Sequence, residues 1–122
     1  MGVNPNIQTT YPAMFTALNS TVQDININGG KLAQITIVNN DSAKACYIQL
    51  FNKPANMVFI GITPPTFIYP APAAVDAIKP TMSVFDVPNG LDFAPSFSIA
   101  CTSTPTGSDS PGTDASVFIL YY

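Results

Sequence analysis

TVQDININGGKLAQITIVN, residues 21–39, carries the pattern that decides the fold. Ile25 and Ile27 are spaced by two before Gly29-Gly30, and Ile35 and Ile37 are spaced by two after it. Successive side chains of a strand point to opposite faces, so this spacing sets the members of each isoleucine pair on one face of their strand. Glycine adopts positive φ without a steric penalty, and a glycine pair between two alternating runs signals a hairpin. The spacing predicts two strands joined at Gly29-Gly30.

The same grammar continues downstream. NNDSA, residues 39–43, is a turn of Asx residues. KACYIQLFN, residues 44–52, places Cys46, Ile48 and Leu50 on one face and Tyr47, Gln49 and Phe51 on the other. Lys53-Pro54 ends that strand, and ANMVFIGITPP follows as a loop. In TFIYPAPA, Pro70 and Pro72 lack backbone donors, which assigns the segment to a sheet edge or an outer wrap. TMSVFDV is a further strand, and Pro88-Asn89-Gly90 predicts a turn after it. SFSIACT and SVFILYY are strands separated by STPTGSDSPGTDA, a loop of small residues over 103–115. The terminal run sets Val117, Ile119 and Tyr121 against Phe118, Leu120 and Tyr122, so it belongs inside a sheet.

About seven to eight short strands separated by turn signals define an all-β chain, an antiparallel β-sandwich or jelly-roll-like barrel. Residues 1–20 lack a clear period, and their prolines interrupt regular structure. They read as an extended N-terminal arm, with residues 21–122 as a single β-sandwich domain. The arm is too apolar for a solvated tail, since it carries Tyr11, Met14, Phe15 and Leu18.

Composition excludes several function classes. The chain has 122 residues, 47% hydrophobic and only 9% charged, against about 25% charged in an ordinary domain. Such a surface is expected to meet something other than water. Histidine, glutamate, arginine and tryptophan are absent. A Ser-His-Asp or Cys-His constellation cannot form, and two cysteines without histidine do not close a zinc site. Asp109 and Asp114 lack the spacing of a calcium loop. The expectation is therefore no enzyme, no cofactor and no metal. Lys31, Lys44, Lys53 and Lys79 are scattered in a chain of net charge −3, which argues against direct nucleic-acid binding. No signal peptide or membrane-spanning run is read, so synthesis in the cytoplasm without membrane contact is expected. Cys46 and Cys101 sit in apolar runs and read first as buried small hydrophobes, with a disulfide across the sandwich as the alternative. An immunoglobulin domain would need a tryptophan and a tyrosine two residues before the second cysteine, where Ile99 stands.

ITIVNNDSAKACYIQLFNKPA, GITPPTFIYPAPA, PNGLDFAPSFSIACTST and SVFILYY resemble small β-rich virion structural proteins of tailed bacteriophages. The matching elements are Asn39, the Tyr47–Leu50–Phe51 strand running into Asn52-Lys53, Thr63-Pro64-Pro65, Ile68-Tyr69-Pro70, Gly90-Leu91 with Phe93, and the terminal apolar strand. AAVDAIKPTM departs from the glycine-rich turn of that pattern, and the first residues have no counterpart in it. The resemblance implies a virion component, a capsid decoration or cement protein that bridges coat subunits. Its partners would be the major capsid protein or other virion proteins and copies of itself, with a trimer as the expected homo-oligomer. The alternative is a tail- or fibre-associated recognition module for carbohydrate or a host-surface ligand. Aromatics at strand spacing usually form core or subunit interface. Tyr11, Met14, Phe15, Leu18, Tyr47, Phe51, Tyr121 and Tyr122 are therefore the candidate interface residues.

Overall fold

A computed structural model describes residues 9–76 and 78–122. Eight strands build it: β1 (Tyr11–Leu18), β2 (Gln23–Asn26), β3 (Gly30–Asn39), β4 (Cys46–Phe51), β5 (Phe67–Ala71), β6 (Thr81–Phe93), β7 (Phe97–Thr102) and β8 (Ala115–Tyr121). They form two antiparallel sheets of four, ordered β1-β8-β3-β6 and β2-β7-β4-β5. The first strand pairs with the last, the second with the seventh, the third with the sixth and the fourth with the fifth. That nesting is the strand order of a jelly roll, two sheets wound from one folded ribbon. The sheets face each other as an open sandwich and do not close into a barrel.

Alternation explains the core. Leu32, Ile35 and Ile37 of β3 and Val117 and Ile119 of β8 point inward from the first sheet. Cys46, Ile48 and Leu50 of β4 and Ile99 and Cys101 of β7 meet them from the second. Each fully buried leucine or isoleucine contributes about 1.5–3 kcal/mol relative to exposure. Aromatics close the two ends. Phe93 stacks on Phe97 with centroids 4.1 Å apart, and Tyr121 meets Phe97 edge-on at 6.3 Å. At the β5–β6 side, Tyr69 sits 4.8 Å from both Phe67 and Phe85. Both cysteines are free and buried. A hydrogen bond to the Cys46 thiol, with burial, pushes the Cys101 thiol far above its ordinary pKa.

Three expectations need correction. Residues 21–39 contain both strands but not a hairpin, because β2 joins β7 in one sheet while β3 lies in the other. The turn at Asn26–Gly29, with Gly29 at φ 80°, instead carries the chain across the sandwich. The ten-residue β3 takes longer apolar partners on both sides, β6 and β8, than the four-residue β2 could offer. Pro88-Asn89-Gly90 is not a chain reversal either. Ala33 alone lies opposite Val87, Pro88, Asn89 and Gly90, so these residues form a large bulge inside β6. Pro88 is tolerated because β6 is an edge strand.

The third correction concerns the arm. Residues 11–18 are β1, an integral edge strand in register with β8 from Tyr11↔Tyr121 to Phe15↔Val117, and Leu18 is fully buried. Residues 1–8 of the expected arm lie outside the described residues. The edge position read for the Pro70 segment agrees with β5, which among the described residues pairs with β4 alone.

Candidate interaction surface

The outward faces of the two sheets differ. The outer face of β2-β7-β4-β5 is covered by the chain itself. Phe51 and Gln49 point outward from β4 yet are buried. Loop 52–66 crosses above them, tied by Ser98 Oγ donating to the Lys53 carbonyl (2.6 Å) and Thr66 N–H donating to the Leu50 carbonyl (2.8 Å). The Ala55 N–H donates to Asp24 Oδ1 at 2.8 Å. The loop after β7 adds a second layer, where Gln49 Nε2 donates to Thr102 Oγ1 (2.8 Å) and the Gly107 carbonyl (3.2 Å). That loop is also pinned to the end of β1 by a Ser20–Ser110 hydroxyl pair at 2.7 Å. The run of residues 103–115 read as exposed is thus partly a cover, with Pro111 buried.

No segment among the described residues covers the outer face of β1-β8-β3-β6. Directly paired residues share a face, so the register defines its rows. The central row is Met14, Phe118, Thr36 and Val84. The next row is Pro12, Leu120, Gln34 and Asp86. On the other side lie Ser116, Val38 and Met82, with Thr16 beside Ser116, whose hydroxyl donates to its carbonyl. Met14 is 64% exposed, Met82 66%, Val84 51%, Phe118 40% and Leu120 36%. Asp86, at one corner, is the sole ionisable group in these rows, and Gln34 Nε2 donates to it at 2.7 Å.

The candidate interface residues separate accordingly. Met14 stands at the end of the central row. Tyr11 is exposed at the start of β1, its ring 5.9 Å from that of Tyr121. Phe15 and Tyr121 turn inward and pack on the core cluster. Leu18 and Phe51 are removed from the set, since the single chain already buries both. Tyr47 is half-buried on the covered sheet, opposite Pro70 and Thr102. Tyr122 is half-buried over the β6 bulge, with its hydroxyl beside Gly90 and its backbone bonded to Lys31 in both directions. Sequence reasoning missed Phe118, Leu120, Met82, Val84 and Val38 as surface. The alternation in TMSVFDV and SVFILYY contained the signal, but not which of the two faces would lack a cover.

Among the described residues no pocket opens, and no three of His, Cys, Asp and Glu come together as metal ligands. The described residues offer an apolar plane. No known protein family, curated protein or solved structure matches the chain.

Proposed function

We propose that this protein is a structural component of a bacteriophage particle, a capsid decoration or cement protein that stabilises the shell by bridging coat subunits. The observation that carries the reading is the apolar face of β1-β8-β3-β6, left bare by the described residues, with five large exposed hydrophobics and one carboxylate at its corner. A protein that works by burying surface against neighbours needs such a plane, whereas monomers rarely expose large contiguous apolar patches. The jelly-roll strand order adds support by fold-level analogy, because this architecture recurs in viral capsid domains as well as lectins. The sequence resemblance points the same way. A tail or fibre recognition module would need aromatics lining an open groove. Phe51 is buried, and Tyr47, Tyr121 and Tyr122 are half-buried, which favours the structural role.

Gradient-purified particles from a host carrying the gene test the reading. The chain is expected in the particle fraction at a fixed ratio to coat protein. Particles from a strain lacking it should break at a lower temperature. A chain that stays in the unassembled fraction, with particles of unchanged heat resistance, refutes the proposal.

A further inference from the structure

The bare face is complementary to itself in one particular way. We infer that two copies of the chain pack these faces together about a two-fold axis running parallel to the strands. Such an axis lays β6 of one copy over β1 of the other and β3 over β8, keeping each row on its own level. Phe118 then stands over Thr36, Met14 over Val84, Val38 over Ser116 and Met82 over Thr16, using the rows set by the register. In three of these four pairs a large side chain meets a small one. An axis across the strands would instead set Phe118 on Phe118 and Thr36 on Thr36, a collision beside a gap. Facing sheets pack about 10 Å apart with strands within about 30° of parallel, so the match survives the twist of each sheet.

Area and charge support a second copy as the occupant. Four strands about 4.8 Å apart, over five residues of about 3.4 Å rise, make the face roughly 19 Å by 17 Å in plan. That plan area is about 320 Å² per copy and about 650 Å² in total, to which side-chain relief adds, so the contact has the size of a weak, concentration-dependent interface. The chain is acidic, yet the face brings only Asp86 into the contact, at the rim on β6. With β6 over β1, the two Asp86 carboxylates fall on opposite edges, at least about 14 Å apart across the strands, well beyond the Debye length of about 8 Å at physiological salt. A single face used by both partners defines a two-fold contact, and three copies cannot all stack one flat face on one another. The inference thus replaces the expected trimer by a dimer, and it rests on the same face as the proposed particle role, with a second copy as the neighbour against which that face is buried.

Light scattering on the full chain tests it. The native protein is expected at twice the 12.9 kDa chain mass at high micromolar concentration. Val84→Lys should fall to the single-chain mass with an unchanged far-UV spectrum, since Val84 is half-exposed on an edge strand. Met14→Lys on the opposite edge should do the same, and it decides the matter if the first variant fails to fold. A Met14→Cys/Val84→Cys double variant should be joined into a covalent dimer by a short bis-maleimide cross-linker, because the two positions sit three strands apart within one copy but face each other across the axis, at a sheet spacing of about 10 Å that a linker spans and a direct disulfide does not. A native monomer, a trimer, charged variants that remain dimeric, or a double variant that forms no covalent dimer would overturn the inference.

Discussion

Asn39 sits at the end of β3 with no exposure to solvent. Its Nδ2 faces three carbonyl oxygens, those of Lys44 (3.1 Å), Pro72 (3.1 Å) and Ala71 (3.4 Å), and its Oδ1 accepts from the Asp41 N–H at 2.9 Å. One amide thereby ties β3, the β3–β4 turn and the end of β5. Asn39→Asp keeps the shape and the acceptor but replaces the donor by a charged oxygen aimed at three carbonyls. Two good hydrogen bonds disappear, and a carboxylate is left fully buried beside three carbonyl oxygens, so the loss is about 3–5 kcal/mol at neutral pH. That is a large part of the roughly 5–15 kcal/mol that holds a domain folded.

The loss should depend on pH in a defined direction. Burial and the surrounding carbonyls raise the folded-state pKa of the new carboxyl above its unfolded value of about 3.9. Below about pH 3.9 both states are protonated, and the penalty is smallest because a neutral carboxyl donates one bond. As pH rises toward the folded pKa only the unfolded state ionises, and the penalty grows by about 1.4 kcal/mol per pH unit before levelling off. Urea unfolding from pH 4 to 8 of the native chain, Asn39→Asp and Asn39→Ala measures this, since the alanine variant carries a loss that does not vary with pH. The reasoning fails if Asn39→Asp lies within about 1 kcal/mol of the native chain at pH 7, or if its penalty does not shrink toward acid.

Three further outcomes are expected. Ile119→Asp puts an unpaired charge between the sheets at a cost of several kcal/mol, so it should show no cooperative urea transition. Gly90→Ala strains a backbone at φ 73° and drives its Cβ into the Tyr122 hydroxyl. Thermal denaturation should show a loss of about 1–3 kcal/mol, part of which Tyr122→Phe restores in the double variant. Deleting residues 1–18 removes β1 and the buried Leu18, leaving one side of β8 unpaired. The product should be insoluble or lack a cooperative melt, and a folded, soluble product would show that β1 is dispensable.

Strand positions were legible because Ile35, Ile37, Cys46, Ile48, Val117 and Ile119 follow a period of two, and core burial imposes that period locally. Which strand pairs with which is a long-range matter, and no local rule carries it. Gly29-Gly30 has the same composition whether it folds a hairpin or crosses a sandwich; the length mismatch between β2 and β3 decides. Pro88-Asn89-Gly90 reads as a reversal because an edge bulge uses the same residues as a turn. β1 was hidden by Pro12, which costs little on a strand whose outer side has no ladder partner among the described residues. The surface was half legible. Alternation sorts Phe118 from Ile119, but only loop 52–66 and the loop after β7, by covering one sheet, reveal which face stays bare.

The nested pairing has a consequence for biosynthesis. Tyr11 waits for Tyr121, so β1 leaves the ribosome long before β8, its ladder partner among the described residues, exists. The β4–β5 pair at the centre of the ribbon is the first that can close locally, and closure must spread outward from it to β8, which joins β1 to β3. Pairings of such long sequence separation fold slowly, because loop-closure entropy precedes the contacts that offset it. Until β8 arrives, β1 and β3 are sticky open edges, so the nascent chain is most vulnerable to misassembly just before β8 is made.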